Sequence, residues 1–509
     1  MKEIKNIIIV GGGNSGYLTA LGLVNKGIDV TLIDPPHLPT IGVGESTQPA
    51  VTFYLKDFCK TVGFEYMPHV GATFKLGVRF EGWADHDIFV DSEDAKSHEG
   101  ADRQGGLYDF LCKNKIHPDK FNHTCDAYVM AKNNLSPYRD GKISYMGFEM
   151  NEFSNANQWD QEKATEYFRQ KCLKFKNFNL IKDTVLDVSL SESGEIDELI
   201  LKNNKIKSDL YIDATGFRRL LIDKVSPGFV SFSKSLLNDR AIVLRKKYKD
   251  PQKECFPYTK ATAMSAGWMW SIPTYDDMAH GYVHSSNFIS LEQAEIELRE
   301  KTNEYDSSVD VVDFSPGIKT PIAAKNVLAV GLSSSFIEPL EATNLSTTVI
   351  QVANFILNLK EHDNKFFITE NLMNDIDADF QTVIDEIKSF IFCHYYFAPK
   401  NDTPYWHYIK TSVDLEEYSS LLKEIEKGPI TNQFLRNEYG NIRMFLSGHW
   451  FQLLYPYNTF NNYKPIVDHG VDTMGKTNLE HKIRSNKQKF NIKSFPNHYD
   501  YLTEWYESC

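Results

Sequence analysis

The hydrophobic pattern of the first 33 residues predicts a β-α-β unit. A short apolar run over 6–10 reads as a buried strand, and 17–23 carries apolar residues at helical spacing. A second strand-like run over 29–33 follows. Between the first strand and the helix lies a glycine-rich turn over 11–16. This order of elements is typical of the start of a doubly wound α/β sheet.

The rest of the pattern predicts strands, then helices. We expect strands over 74–80, 143–149, 178–202 (a meander), 209–213, 241–244, 267–272, 281–285 and 326–331, and helices over 48–62, 158–176, 290–303 and 346–361. Residues 84–105 are polar and contain glycine, which predicts a surface loop or lid. From about 366 onward the pattern is mainly helical with aromatic clusters.

The predicted fold class is therefore α/β, with a Rossmann-like dinucleotide-binding domain, an inserted and largely antiparallel substrate sheet, and a helical C-terminal region. We place the nucleotide-binding and catalytic module at 1–365, with the sheet inserted at about 70–150 and 225–305. The helical region at 366–509 is expected to complete the substrate site. No obvious linker separates these parts, so they are expected to pack as one unit.

The turn after the first strand carries the G-x-G-x-x-G fingerprint of dinucleotide binding. Gly11 serves the tight turn, Gly13 the close approach of a pyrophosphate and Gly16 the packing of helix on strand. Asp34 ends the second strand, where an acid accepts hydrogen bonds from a ribose hydroxyl. A glycine-rich turn without a ligand is the alternative, and the fingerprint alone does not distinguish FAD from NAD.

Composition and charge exclude several classes of protein. The chain has 509 residues, 42% hydrophobic and 24% charged, as in ordinary globular proteins. Its net charge of −13 argues against nucleic acid or an anionic membrane as partner. Seven cysteines without a C-x-x-C pair argue against a disulfide framework and a metal site. With no signal peptide or membrane-spanning run, we expect a cytoplasmic protein.

Six separated motifs resemble flavin-dependent halogenases of the tryptophan-halogenase type. The most specific is Gly-Trp-Met-Trp-Ser-Ile-Pro at 267–273. The others, in the same order as in that family, are the fingerprint at 11–16, Gly-Val-Gly-Glu-Ser-Thr at 42–47, Phe-Lys-Leu-Gly at 74–77, Ile-Asp-Ala-Thr-Gly-Phe at 212–217 and Glu-Pro-Leu-Glu-Ala-Thr at 338–343. The Asp-Thr-Pro-Tyr-Trp stretch at 402–406 is also similar. The resemblance covers about 5–410 and is poor beyond.

The resemblance implies catalytic roles for Lys75 and Glu341. In this family reduced FAD and O₂ convert halide to hypohalous acid, which crosses a tunnel to a lysine beside an aromatic substrate. As an ammonium, Lys75 would polarise the acid, and as a neutral amine it would form a haloamine; both routes stay open. Glu341 would stabilise the cationic ring and take its proton. Glu338 is the competing carboxylate.

The same resemblance assigns the halide, the flavin and the tunnel. Thr343 and Asn344 match the halide site, where many relatives have glycine at the second position. A flavin-facing wall that keeps substrate from the cofactor is formed by Trp268, Trp270, Ile272 and Pro273. The expected cofactor-binding residues are Gly11, Gly13, Asn14, Ser15, Gly16, Asp34, Gly44, Glu45, Ser46, Val185, Gly331, Leu332 and Leu345.

The implied partners are a small aromatic substrate and a separate flavin reductase, since the chain has no second nucleotide fingerprint. We expect a homo-oligomer and no metal. Trp450 and Phe451 are candidates for substrate contact, with the 84–105 loop opposite, although the residues that grip free tryptophan in relatives have no clear counterpart. An FAD-dependent monooxygenase of an aromatic substrate is the alternative enzyme, and a non-catalytic FAD-bound scaffold is the alternative from another class.

Overall fold

The computed structural model describes residues 2–36, 44–92, 107–139, 142–143, 156–363, 365–369, 371–442, 444–464, 477, 479–481, 483–484 and 495–509. Its central layer is a six-stranded sheet, named here the nucleotide sheet. In spatial order its strands are Phe178–Ile181, Asp29–Ile33, Asn6–Val10, Leu210–Asp213, Val327–Ala329 and Ala323–Ala324. The first five are parallel, as a Rossmann-like domain requires.

A seven-stranded sheet, named here the substrate sheet, packs beside it. Its strands in order are Asp310–Asp313, Arg240–Lys246, Met278–His284, Gly267–Pro273, Thr259–Met264, Gly77–Glu81 and Ile88–Asp91. Every pairing is antiparallel except that of Thr259–Met264 with Gly77–Glu81. The predicted largely antiparallel inserted sheet is confirmed, together with the α/β fold class.

A three-stranded antiparallel sheet links the two larger sheets. It consists of Gly44–Ser46, Ala156–Asp160 and Thr73–Lys75, with Ala156–Asp160 in the middle. We call it the bridging sheet. Since neighbouring strands lie about 4.8 Å apart, its outer strands are separated by about 10 Å. The sequence pattern did not predict this sheet.

Smaller sheets complete the strand inventory. They are Lys2–Ile4 with Lys365–Ile368 and Lys360–His362; Val185–Leu190 with Ile196–Leu201 and Lys205–Ile206; Phe229–Ser231 with Gly317–Lys319 and Ser335–Phe336; and Tyr138–Arg139 with Lys142–Ile143. The α-helices are Asn14–Lys26, Pro49–Asp57, Leu107–Lys113, Pro118–Asn122, Asp126–Lys132, Gln161–Cys172, Ile222–Val225, Pro251–Glu254, Leu291–Thr302, Thr343–Asn358, Leu372–Phe397, Pro404–Thr411, Ser419–Glu426, Asn432–Tyr439, Ser447–Leu454 and His498–Glu507.

Several predicted elements differ from the structure. The single strand predicted over 74–80 is two strands that belong to different sheets. Leu76 separates them, and its backbone N–H donates to the Pro257 carbonyl at 2.8 Å instead of to a ladder. The 84–105 segment contains a strand at Ile88–Asp91, while 93–105 lies outside the described residues. The predicted strand at 143–149 lies largely outside them as well.

Two further boundaries were wrong because periodicity alone does not separate a short strand from a helix. The helix predicted from 158 begins at Gln161, after the strand Ala156–Asp160, whose last residue caps it through its carboxylate. In the predicted meander over 178–202, Phe178–Ile181 instead joins the nucleotide sheet in parallel. The remainder, Val185–Leu190 and Ile196–Leu201, is an antiparallel hairpin.

Candidate active site

A cavity of about 890 Å³ opens at the carboxyl ends of the nucleotide strands, between that sheet and the substrate sheet. Such crevices are where doubly wound sheets bind ligands. Of the residues predicted from sequence, those lining it are Gly11, Gly13, Asn14, Ser15, Asp34, Gly44, Glu45, Ser46, Val185, Trp268, Trp270, Ile272, Leu332, Glu341, Asn344 and Leu345. Gly16, Gly331, Thr343, Pro273, Lys75, Trp450 and Phe451 are not part of the lining.

The three fingerprint glycines have different surroundings in the structure. A Cβ on Gly11, whose φ is 121°, would lie 2.2 Å from the Ala214 carbonyl oxygen. A Cβ on Gly16 would lie 2.0 Å from the Gly11 oxygen, so the helix packs directly on the turn. A Cβ on Gly13, which lines the cavity, would meet no described residue within 4 Å. Helix Asn14–Lys26 begins there without a side-chain cap or an acidic residue.

These features fit a dinucleotide such as FAD. The uncapped helix start presents free N–H groups and the positive end of its dipole to a pyrophosphate. Asp34 lines the cavity, and its Oδ2 accepts a hydrogen bond from the Tyr17 hydroxyl at 2.8 Å and pairs with Lys182. Sequence reasoning missed Tyr17, Lys182 and Arg169, all on the lining, because no local pattern marks them.

The tryptophan wall forms one side of this cavity. Trp268 and Trp270 lie on the same face of Gly267–Pro273, with ring centroids 6.2 Å apart. Trp268 donates from Nε1 to Glu338 Oε1 at 3.0 Å, whereas Trp270 Nε1 has no hydrogen-bond partner among the residues that the structure describes. The Pro273 carbonyl accepts from the Thr73 hydroxyl at 2.7 Å. The wall is therefore anchored to the bridging sheet that carries Lys75.

Lys75 is buried, with 1% of its surface exposed. It ends one outer strand of the bridging sheet, and Nζ donates to the Thr47 carbonyl at 2.8 Å. Burial lowers the pKa of Lys75 from its ordinary value of 10.5 to about 8, an effect that the Glu341 carboxylate partly offsets. The other outer strand, Gly44–Ser46, lines the cavity. The side chain of Lys75 therefore reaches across the bridging sheet, and its ammonium lies beside Thr47, the residue that follows the cavity-lining strand Gly44–Ser46.

Glu341 is held in a strained backbone conformation. Its φ is 65°, and Ala342 follows at 56°, values that residues with a side chain rarely adopt. Gln48 donates from Nε2 to the Glu341 carbonyl at 2.7 Å, and Glu341 Oε1 lies 3.0 Å from His394 Nε2. The helix Thr343–Asn358 begins directly afterwards, also without a side-chain cap. Strain maintained by surrounding contacts is typical of functional positions.

Glu338, the competing carboxylate, has a different environment. Its oxygens accept hydrogen bonds from Trp268, Asn238 at 3.1 Å and Tyr395 at 2.5 Å, all uncharged donors. Burial raises the pKa of Glu338 to about 7. The carboxylate therefore ties the wall to helix Leu372–Phe397 rather than facing the cavity, whose lining does not include it.

The predicted substrate residues lie in the C-terminal helices. Trp450 is fully buried and meets the edge of Phe390 at 4.9 Å, and Phe390 in turn contacts the His394 ring at 4.9 Å. Phe451 stacks on Tyr108 at 3.8 Å. Trp450 is thus two rings from Glu341, whereas Phe451 packs in an aromatic core.

Comparison with known proteins identifies the family. Residues 6–472 match the model of the tryptophan halogenase family. The chain belongs to the tryptophan halogenase family. It is a flavin-dependent halogenase, an oxidoreductase that uses FADH₂ and O₂ and acts on an aromatic substrate. The resemblance inferred from the motifs is confirmed.

Individual relatives of this halogenase support the assignment. It is 31% identical over 433 residues to the tryptophan 6-halogenase of Streptomyces toxytricini, with 80% of both chains covered. It is 28% identical over 429 residues to a tryptophan 7-halogenase of Lentzea aerocolonigenes, covering 79% and 78%. The crystal structure of the Streptomyces toxytricini enzyme superposes with a TM-score of 0.85 at 25% identity, over 99% of this chain and 100% of that one.

Two negative findings concern the described residues only. They contain no group of three or more His, Cys, Asp or Glu side chains arranged to hold a metal ion. None of the helices described in this halogenase is long and apolar enough to cross a bilayer.

Proposed function

We propose that this halogenase delivers hypohalous acid through Lys75 to an aromatic or heteroaromatic small molecule that Glu341 deprotonates. When bound, reduced FAD supplies with O₂ the two-electron oxidation that converts halide to hypohalous acid. The observation that carries the residue assignment is the burial of Lys75 in the bridging sheet, to which Pro273 of the tryptophan wall is hydrogen-bonded, with Glu341 close enough to raise the pKa of the lysine. Burial beside a carboxylate is expected of a lysine that delivers the acid, and it is not expected of an ordinary surface lysine.

The residues divide the work by position. The fingerprint turn and Asp34 hold the dinucleotide at the cavity. Trp268 and Trp270 fill the side between cavity and substrate, so the aromatic ring does not reach the cofactor. Lys75 donates a hydrogen bond to the acid and orients its halogen toward the ring. Glu341 opposes the positive charge that develops on the halogenated ring and accepts its proton.

The halide is proposed to bind at the start of helix Thr343–Asn358. An uncapped helix start offers backbone N–H groups and a positive dipole end, both favourable for an anion. Asn344 lines the cavity here. Because Asn344 replaces the glycine common in relatives, the pocket has a different shape, and competition among chloride, bromide and iodide measures its preference. FADH₂ is supplied by a separate reductase.

The substrate is proposed to be a small molecule with an electron-rich ring of the indole class. The relatives named above act on tryptophan, and this chain keeps a buried tryptophan, Trp450, two rings from Glu341. Indole and L-tryptophan, each with the three halides and a supplied reductase, are the first probes. Halogenated product by mass supports the proposal, and a hydroxylated product formed without halide contradicts it.

Glu341→Gln and Glu338→Gln form a matched pair that tests which carboxylate is catalytic. With indole and bromide, we expect Glu341→Gln to lower kcat by about 100-fold or more, as loss of a general base does. Glu338→Gln keeps the cavity lining, so kcat falls little, but it replaces an acceptor of three buried bonds and lowers the stability to urea by about 1–3 kcal/mol. The reverse pattern would transfer the role to Glu338.

A further inference from the structure

The close contact between Glu341 and His394 requires a proton, and the resemblance to the family implied no role for His394. His394 is fully buried in the last turn of helix Leu372–Phe397. Its Nδ1 lies 2.8 Å from the Phe390 carbonyl oxygen, which only accepts, so Nδ1 carries a hydrogen. Nε2 lies 3.0 Å from Glu341 Oε1. A neutral ring beside a carboxylate would place two lone pairs against each other there.

The position of His394 in its helix favours the charged form of the imidazole ring. Cations are stabilised in the last turn of a helix, where His394 lies. Glu338, three residues before Glu341, is a buried carboxyl for comparison, and its hydrogen-bond donors Asn238, Trp268 and Tyr395 are all uncharged. Burial raises the pKa of this carboxyl to about 7. A cation in direct contact with Glu341, in addition to the nearby Lys75, favours the ionised carboxylate that acts as a base.

The other titratable groups facing Glu341 come from three elements. Lys75 approaches from the bridging sheet, His449 from helix Ser447–Leu454 and Tyr457 from the turn after it. His449 Nδ1 accepts from the Leu446 backbone N–H at 3.0 Å, and burial lowers its pKa, so this ring is neutral. Burial raises the pKa of Tyr457, which keeps its hydroxyl protonated. His394 alone among these groups contacts a Glu341 oxygen in the described chain.

We propose that His394 is a positioning residue, which as an imidazolium holds Glu341 ionised through Oε1 and leaves Oε2 to accept the proton of the halogenated ring. In that step the C–H electron pair returns to the ring, the proton bonds to Oε2, and His394 keeps its own proton. The glutamic acid then loses its proton to solvent. This proposal rests on the proposed function for the role of Glu341, but not for the protonation of the pair.

The protonation state is tested on the substrate-free, full-length protein by NMR of ¹⁵N-labelled histidine, with His394→Gln to assign the signal. We expect both ring nitrogens of His394 to be protonated at neutral pH. In Glu341→Gln the ring should become neutral with hydrogen on Nδ1. A neutral ring in the wild type, or hydrogen on Nε2 alone, would overturn the proposal.

The positioning role is tested with indole, bromide and supplied FADH₂. His394→Leu should lower kcat by about 10- to 100-fold, the usual cost of removing an orienting partner, with little change in the KM for indole. Ring-deuterated indole should slow this variant more than the wild type, because proton loss has become limiting. His394→Gln, whose amide still donates, should recover part of kcat, and exposed His407→Leu should match the wild type.

The outcomes separate the two proposals. A lower kcat without an isotope effect, or equal kcat in all variants, means that His394 only packs. Wild-type protein that makes no halogenated product contradicts the proposed function, while the NMR measurement still decides the state of the pair. If His394→Leu does not fold, the kinetic comparison is made between the wild type and His394→Gln instead.

Discussion

The environment of Lys75 could be predicted only in part from the sequence. Lysines are mostly exposed, so a lysine on a strand, taken alone, predicts a side chain in solvent. Only its match to a motif suggested otherwise, and the structure buries it completely. Its partner, the Thr47 carbonyl, lies 28 positions earlier, directly after the strand Gly44–Ser46. A contact to backbone leaves no signature in side-chain types, so sequence alone could not predict it.

The burial of Lys75 has a cost in stability with a defined pH dependence. The folded-state pKa of about 8 lies below the ordinary 10.5, so the unfolded chain holds the proton more tightly. The fold is thus destabilised by about 3 kcal/mol below pH 8, and this penalty disappears as the pH rises to 10.5. Lys75→Met should therefore be more stable near neutral pH by about 2 kcal/mol, after losing the bond to Thr47.

Urea unfolding of wild type and Lys75→Met from neutral pH to above 10 measures this difference. We expect the advantage of the methionine variant to shrink across that range, and its halogenation to be lost. Lys260→Met, at a half-buried lysine of the substrate sheet, is the control and should show no such trend. A methionine variant less stable than wild type at neutral pH would contradict the buried-charge argument.

His394 marks the limit of local sequence reading. It contacts Glu341 across 53 positions, and its neighbours in sequence are aromatic and apolar. The pattern beyond 366 predicted mainly helices with aromatic clusters, in agreement with helix Leu372–Phe397, but it did not indicate which side chain of that helix contacts Glu341. Helical periodicity selects a buried face and leaves the partner of each residue to tertiary packing.

At the scale of elements, strands buried on both faces were predicted with unequal accuracy: Gly267–Pro273 nearly matches the predicted 267–272, whereas Met278–His284 begins three residues before the predicted 281–285. Gly267–Pro273 and Met278–His284 are buried throughout and pair in register, with Trp270 opposite Gly281. The break at Leu76 was not predicted, because each half carries strand residues and only the register shows that they join different sheets. That break places Lys75 in the bridging sheet and Gly77 in the substrate sheet.

Gly281 gives the tryptophan wall its position. A Cβ there would lie 1.8 Å from Trp270 Cζ2, so any side chain must push the indole toward the cavity. Gly281→Ala should lower the stability to urea by about 1–3 kcal/mol, the usual cost of overpacking, and weaken FAD binding in a fluorescence titration. The double variant Gly281→Ala/Trp270→Leu should recover much of the stability, since it removes the clash. Additive effects of the two changes would contradict direct contact.

At the scale of the molecule, the division into 1–365 and 366–509, which was drawn from the mainly helical pattern beyond 366, stays a prediction. Packing nevertheless joins them: one hydrophobic cluster contains residues from Ile4 in the first strand to Leu502 in the last helix. Lys365–Ile368 pairs with Lys2–Ile4. The family model extends to residue 472, well beyond position 410, where the motif resemblance was expected to end, and the chain beyond 410 supplies Trp450, which contacts Phe390, and the final helix.

The last helix, His498–Glu507, contacts the strand of Lys75 through several side chains, among them the buried ring of His498. His498 Nδ1 donates to the Cys255 carbonyl at 3.0 Å, and Nε2 accepts from the Phe74 backbone N–H at 3.2 Å. The ring is therefore neutral when folded, and burial lowers the pKa of His498 from 6.5 to about 4. Protonation would set Nε2–H against the N–H of Phe74, the residue next to Lys75.

We therefore expect acid to weaken the contact between the last helix and the strand Thr73–Lys75. Between pH 6.5 and 4 the histidine of the unfolded chain binds a proton that folded His498 does not. As the pH is lowered through this range, the free energy of unfolding therefore decreases by up to about 3 kcal/mol from this group. Carboxylates titrate in the same range, so the measurement is a difference: urea unfolding of wild type against His498→Gln. The variant should be less stable at pH 6.5 and lose less on acidification, with exposed His407→Gln as control. Parallel curves would show that the ring does not couple the C-terminus to the lysine strand.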